Sequence, residues 1–353
     1  MGDQVSQSPR VYLDQNFLSE IAKGTFPLLF ESFRSRKMQL IYSWMHIKET
    51  ARCREKQFHL QIANALTEMN GAYLHQNTLY FDRSPQQQLD EYLSTQSDVS
   101  NQTVASMGKF LHKFFGGQKG KDFRQLVDDQ RKAHADLMAH MVKCIEMLDE
   151  EERGLIDQYL PILKMLPETY TQQFEDSAEK MLQRFETDFP SSTNFNAATE
   201  FRSANKIDHV LLDKIQPPQV MEQIWGQINS TGKTFAPFEG ANEFLAGMSK
   251  ATGEEFSMET KIITIYNFLC LIGYQADEKL GRDNKFRAAL SDHTHAACGA
   301  YSQVFITADE RMAMKVFAIY EYLKIQTHVC LYREDKKTGK SHLLVGKEIF
   351  AST

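Results

Sequence analysis

The sequence predicts an α/β protein built on a central parallel sheet, and three observations carry that expectation. Short apolar runs leading to a carboxylate lie near both ends of the chain, V-Y-L-D (11–14) and V-F-I-T-A-D (304–309). Each is followed directly by a helix-like pattern, as is a third run, Q-L-I-Y-S (39–43). Between them, roughly 58–255, strand runs are absent and Gln, Glu, Lys, Met and Leu dominate. Strand–helix–strand–helix order opens a doubly wound sheet, and the middle breaks that rhythm as a large all-α insertion.

Taken in order, residues 10–14 form a strand ending at Asp14, and a helix runs from about Asn16 to Ala22, stopped by Gly24. A second strand covers 39–43, and the next helix starts at Trp44 or Met45 and carries Glu49. In the middle, Leu126, Leu137, Met141, Ile145 and Leu148 recur at helical spacing. Tyr170, Phe174, Ala178, Met181, Leu182 and Phe185 repeat the pattern. Typical helix and loop lengths give roughly eight helices over the insertion. Residues 256–274 are apolar on most faces, so that helix is buried, and Gly273 ends it. A helix from about Lys285 to Tyr301 has Phe286, Leu290, His293, Ala297 and Ala300 on its apolar stripe. Asp292 lies off the stripe near Ala288, His295, Ala296 and Gly299, whose small side chains allow close approach. A strand at 304–307, a helix from Glu310 to Lys324 and a strand at 327–332 follow. The expected organisation is a discontinuous core, 8–57 and 256–335, a helical insertion, 58–255, and a tail, 336–353, with room for one added strand.

Composition excludes several classes. The chain has 353 residues, 42% hydrophobic, enough for one large domain or two. Its net charge of −6 means that any nucleic-acid contact rests on a local patch. The five cysteines form no C-x-x-C pair, which argues against a zinc ribbon and suits a reducing cytoplasm. The first ten residues lack the apolar stretch of a secretory signal. The longest apolar run, 262–272, is too short to span a bilayer, so no membrane partner is expected.

The acidic residues carry the chemistry. An open parallel sheet keeps its site at the carboxyl ends of its strands, where Asp14 and Asp309 fall. Glu49 and Asp292 lie on helices. Each has a plainer reading: Asp309 or Asp292 as a helix cap, Glu49 as a solvated helix residue. Asp14 is hardest to dismiss, because it follows V-Y-L without a turn. Carboxylates brought together repel one another, and a divalent cation is the usual remedy. The pattern therefore points to metal-dependent phosphodiester chemistry.

Y-L-D-Q-N (12–16), H-I-K-E-T (46–50), S-D-H-T-H-A-A (291–297) and F-I-T-A-D-E-R (305–311) occur in an order that resembles the PIN-like nuclease superfamily. The resemblance covers 8–57 and 256–335, under half of the chain. It implies an α/β/α sandwich with a central parallel sheet, and Mg²⁺- or Mn²⁺-dependent hydrolysis of RNA, sometimes DNA. It further implies that Asp14, Glu49, Asp292 and Asp309 form the acidic cluster, with Asn16 and Thr307 at supporting polar positions. Asp14 and Asp309 are the first choice as direct ligands. Asp292 serves a second ion or its water, and Glu49 orients the attacking water or completes the cluster. The long insertion departs from the family pattern.

Two further features stand beside the cluster. His293 falls on the apolar stripe and reads as a core histidine; His295 is the better candidate for phosphate contact or proton transfer, against a structural role for it as well. Residues 108–125 form the one basic island, with Lys109, Lys113, Lys119, Lys121 and Arg124 interleaved with Phe110, Phe114, Phe115 and Phe123. Such interleaving suits a single strand of nucleic acid. The alternative is an amphipathic helix with buried phenylalanines. S-T-G-K-T (230–234) lacks the first glycine of a P-loop, so nucleotide hydrolysis is not expected there.

The expectation is thus a cytoplasmic, metal-dependent endonuclease with RNA ahead of DNA. Its helical insertion selects substrate, restrains activity or binds a regulatory protein. Family analogy adds a toxin or defence-type effector role. The rivals are a catalytically silent PIN-like scaffold that binds a protein partner, and a structure-specific DNA nuclease.

Overall fold

The computed structural model describes residues 8–350 apart from 54, 76, 96–107, 110–111, 114, 150–153, 155–156, 189–195, 231–237, 278–279 and 336–339. Its strands are β1 (Arg10–Leu13), β2 (Gln39–Ser43), β3 (Ala72–His75), β4 (Thr78–Tyr80), β5 (Val304–Thr307), β6 (His328–Asp335) and β7 (Lys340–Val345). They form one sheet in the order β4-β3-β2-β1-β5-β6-β7. The strands from β3 to β6 run parallel, and β4 and β7 close the two edges antiparallel. The chain winds outward from β1 to β2 and β3 on one side, then to β5 and β6 on the other. The winding reverses between β1 and β5, the point at whose carboxyl ends open parallel sheets keep their crevice.

The helices are α1 (Gln15–Ala22), α2 (Pro27–Arg34), α3 (Trp44–Ala51), α4 (Lys56–Glu68), α5 (Pro85–Thr95), α6 (Phe123–Glu146) and α7 (Leu160–Asp188). They continue as α8 (Ala197–Ala204), α9 (His209–Leu212), α10 (Val220–Ser230), α11 (Ala241–Thr252), α12 (Met258–Ile272), α13 (Asp283–Gly299) and α14 (Glu310–Leu323). Alternation along β1 sends Val11 and Leu13 to one face, into a core with Phe17 and Ile21 of α1, Phe33 of α2 and Leu66 of α4. Tyr12 points to the other face and bonds to His295 of α13. Burial on both faces is why these strands are continuously apolar.

On that second face the small residues of α13 let it approach closely. Gly299 lies against the Phe305 ring of β5 and the Tyr320 hydroxyl of α14, so that an added Cβ would overlap the ring. The opposite case is Gly226, exposed on α10, where a Cβ meets nothing within 4 Å.

The chain divides into two compact units. One comprises 1–94, 200–278 and 287–353 and holds the whole sheet; the other comprises 95–199 and 279–286. In the second unit α6 and α7 pair antiparallel over Leu126, Val127, Phe174, Ala178 and Leu182. Arg131 of α6 bonds to Glu175 at 2.8 Å and Glu179 at 3.2 Å of α7, and His134 stacks on Phe174 at 4.4 Å.

The expectation of an all-helical stretch over 58–255 is corrected here. α4, β3, β4 and α9–α11 belong to the sheet unit. A-Y-L-H and T-L-Y are too short to display a period, and Asn77 turns them into a hairpin at φ 65°. The stretches 8–57 and 256–335 do contribute strands to one sheet, and the tail adds β7 against β6. Among the described residues no helix is long and apolar enough to cross a membrane. All five cysteines are free.

The contrast between the two glycines is testable by urea unfolding. Gly299→Ala is expected to cost about 1–3 kcal/mol through overpacking. Gly226→Ala should stabilise by about 0.5–1 kcal/mol by restricting the unfolded chain. Equal effects at both positions would refute the close approach of α13.

Candidate functional site

β1 and β5 are neighbours in register, with Leu13 opposite Ile306. The ladder runs one residue further, since the Asp14 amide donates to the Ile306 carbonyl at 3.0 Å. Asp14 then caps α1, its Oδ1 accepting from the Phe17 amide at 2.7 Å. Its Oδ2 accepts from the Thr307 hydroxyl. The same hydroxyl oxygen accepts from the Asp309 amide at 3.0 Å. Asp309 in turn caps α14 through the Met312 amide at 2.9 Å. Thus Asp14 and Asp309 flank the switch point, joined through one buried threonine. Asp14 is buried and Asp309 exposed. The capping role expected as the plainer reading of Asp309 is fulfilled, and Asp14 shares it.

The helical acids enter from α3 and α13. Glu49 Oε2 accepts from His295 Nε2 at 2.9 Å, and Ser291 also bonds to the Glu49 carboxylate. His295 Nδ1 lies 2.8 Å from the Tyr12 hydroxyl, which lies 2.8 Å from Ser43 Oγ. With Nε2–H committed to Glu49, Nδ1 accepts from Tyr12, and Tyr12 accepts from Ser43. Burial pushes the Tyr12 phenol well above its ordinary value, so it stays protonated as a donor. His46 packs beside this chain. Its Nδ1 accepts from the Ser43 amide at 3.0 Å, and its Nε2–H donates to the Leu13 carbonyl at 2.8 Å. Burial, and then the neighbouring His295, push His46 down to about 3, so it is a neutral strut.

Asp292 lies in the middle of α13, not at its start, so the capping reading fails for it. Burial raises its carboxyl well above the ordinary range, and Asp277, Asp309 and Asp14 add to the rise while Lys315 opposes it. Asp14 is also raised, chiefly by burial, although Thr307 and the Phe17 amide pull it down. Burial works upward on Glu49 too, but the hydrogen bonds from His295 and Ser291 hold it below the usual carboxyl value. The cluster therefore contains one secured carboxylate, Glu49, and two that ionise against resistance.

Lys315 of α14 is fully buried beside this group. Its Nζ lies 2.9 Å from Asp277 Oδ2, 3.7 Å from Cys270 Sγ and 4.6 Å from the centre of the Tyr266 ring. Burial works against its charge, and Cys270, Asp277 and Asp292 more than offset that. The Tyr266 hydroxyl is buried and has no hydrogen-bond partner among the described residues. Asp292, Cys270, Asp277 and Asp309 all push its phenol further up after burial itself.

The remaining expected residues fall elsewhere. Asn16 is exposed on the first turn of α1. His293 bonds through Nδ1 to Asn267 Oδ1 at 3.1 Å and is pushed down to about 4 by burial, as befits a core histidine. The basic island belongs to the second unit. Lys113 is 0% exposed and burial lowers its basicity; Lys121 is paired with Asp129. Burial takes Lys113 out of a strand's reach, whereas Lys121 keeps 41% of its side chain exposed beside Asp129. Lys109, Lys119 and Arg124 are exposed, and Phe110 and Phe114 lie outside the described residues, as do 231–234 of the S-T-G-K-T stretch.

Sequence reasoning missed Asp277, Lys315, Tyr12 and Tyr266. The one available signal was Lys315 among Met314, Val316 and Ile319, a lysine at a core position that demands a carboxylate. Among the described residues, no group of three or more His, Cys, Asp or Glu side chains is arranged to hold a metal ion. No family model, curated protein or solved structure matches the chain.

The raised Asp292 carboxyl has a consequence for stability. A folded-state value above the unfolded one means that stability is full below about pH 4 and is lost as pH rises toward the raised value. Asp292→Asn cannot ionise. In chelator, it is expected to melt higher than wild type at pH 8, with the gain vanishing toward pH 4. A difference in melting temperature that stays constant with pH would show that Asp292 is not held against its charge.

Proposed function

We propose that the chain is a metal-dependent endonuclease of the PIN-like type, acting on RNA ahead of DNA. The observation that supports this best is the Asp14–Thr307–Asp309 tie across the switch point, with Asp292 within electrostatic reach. The donor chemistry fits a hard divalent cation, Mg²⁺ or Mn²⁺. Asp14 and Asp292 resist ionisation without added positive charge, and the buried Tyr266 hydroxyl has no hydrogen-bond partner among the described residues, so its oxygen could accept from a water bound to a cation. Mg²⁺ keeps several waters and binds through one or two carboxylates, so a closed set of three protein ligands is not required.

Asp14 and Asp309 would hold the ion directly, with Asp292 on a second ion or a bound water. When bound, the cation polarises the scissile phosphate and makes water more acidic. The chain's own residues do the rest. Thr307 fixes the separation of Asp14 and Asp309. Glu49, held ionised by His295 and Ser291, would orient the attacking water by accepting a hydrogen bond from it on a remaining lone pair. The Ser43–Tyr12–His295 relay keeps Glu49 aimed. Asp277 and Lys315 neutralise each other and limit the charge that Asp292 faces.

The free cysteines fit a reducing compartment, and a cytoplasmic location follows from that reading. The second unit would be the place for substrate selection or a regulatory partner. The rival is a silent scaffold, which the lack of a closed ligand set among the described residues favours.

Cleavage of a mixed RNA and DNA panel with Mg²⁺ or Mn²⁺ separates the two. Asp309→Asn keeps the cap, since Asn caps nearly as well as Asp, but removes charge the cation needs. The expected result is RNA cleavage by wild type, a loss of orders of magnitude in the variant, and nearly unchanged melting. Equal activity would refute the metal assignment, and inactivity of wild type on every substrate favours the scaffold.

A further inference from the structure

A cavity of about 400 Å³ opens beside the acidic site on the α1 side of the sheet. Two of its lining residues adjoin Asp14 and Asp309, which do not line it themselves. Phe17, which lines it, donates its amide to Asp14 Oδ1, and Ala308, which also lines it, stands between Thr307 and Asp309. Its interior is aromatic. Phe17 and Phe26 stack at 4.8 Å, Phe26 meets Tyr332 edge-on at 4.6 Å, and Phe58 adds a fourth ring. Phe26, Phe58 and Tyr332 are only partly buried, so ring surface remains for a ligand. The rim is polar. Asn16 is exposed there and offers an amide donor and acceptor on one side chain. Glu20 holds both Lys23, at 2.7 Å, and Thr25, at 3.2 Å.

We infer that this cavity is a subsite for one nucleobase of the substrate strand, next to the phosphate held at Asp14 and Asp309; the inference rests on the nuclease reading. Size decides part of it, because the volume lies in the range of small-ligand pockets. Chemistry decides the rest. A phosphate is disfavoured, since the lining is mostly aromatic and its single cation, Lys23, shares the rim with the Glu20 carboxylate. A flat ring with a hydrogen-bonding edge satisfies both the aromatic interior and the Asn16 amide. Aromatic stacking tolerates any base, so the subsite adds affinity, and the rim sets preference. The adjacency of Phe17 to Asp14 and of Ala308 to Asp309 makes the occupant a residue near the cleaved bond.

Binding without turnover tests it. Nucleosides and ribose 5-phosphate are titrated into the full chain in chelator and followed by NMR. Nucleosides should bind, and ribose 5-phosphate, which has no base, should not. Phe58→Ala should weaken nucleoside binding by about fivefold or more, the lower end of what losing one base–aromatic stack costs. Asn16→Ala, at an exposed position, should weaken it and change the order of preference among bases; it carries the test if Phe58→Ala fails to fold. Nucleoside binding no tighter than ribose 5-phosphate, or unchanged in the folded variants, overturns the subsite. Because no cleavage is measured, that failure is distinct from failure of the nuclease reading, which Asp309→Asn decides.

Discussion

The Thr307 hydroxyl donates to Asp14 and accepts from the Asp309 amide, and the geometry of the crevice depends on that pair of bonds. Each aspartate also starts a helix, so the two caps and the bridge form one continuous path from α1 through β5 to α14. A carboxylate that caps a helix has a fixed direction, set by the amide it accepts from. Two such carboxylates on adjacent parallel strands are therefore pre-positioned without long side chains or flexible loops. The parallel order makes this available only where winding reverses, between β1 and β5.

That arrangement concentrates negative charge in a largely buried place, and the surrounding residues limit the cost. Lys315 enters from α14 and pairs with Asp277, so one cation is fixed inside the cluster. A buried pair of this kind is a poor source of net stability, but removing either partner leaves an unpaired buried charge. Glu49 is treated differently. His295 and Ser291 hold it ionised, and His295 is itself oriented by Tyr12 and Ser43. The site thus combines one carboxylate held in its charged form with two that resist ionisation. Such a division is typical where titratable groups are set for different tasks.

Some of this was legible in the residues. Asp14 and Asp309 announced themselves because a carboxylate at the end of an apolar run is a signal confined to a few positions. Gly299 and Ala296 correctly marked α13 as a closely approaching helix. Asp292 was found, although as a cap its role would have been wrong, since α13 begins nine residues earlier, at Asp283. What was not legible depended on distant partners. Asp277 and Lys315 meet across 38 positions, and neither has a local pattern that names the other. Lys113 belonged to a basic run that suited a single strand of nucleic acid, yet tertiary packing buries it. β3 and β4 escaped notice because four and three residues cannot show a period of two convincingly.

The central claim is that Asp14 and Asp309 together hold a divalent cation. A crystal soaked with Mn²⁺ and measured at the manganese absorption edge tests it most directly. The account predicts an anomalous peak at coordination distance from carboxylate oxygens of both Asp14 and Asp309. A crystal that takes up Mn²⁺ only at other positions, with both carboxylates bare, would contradict it.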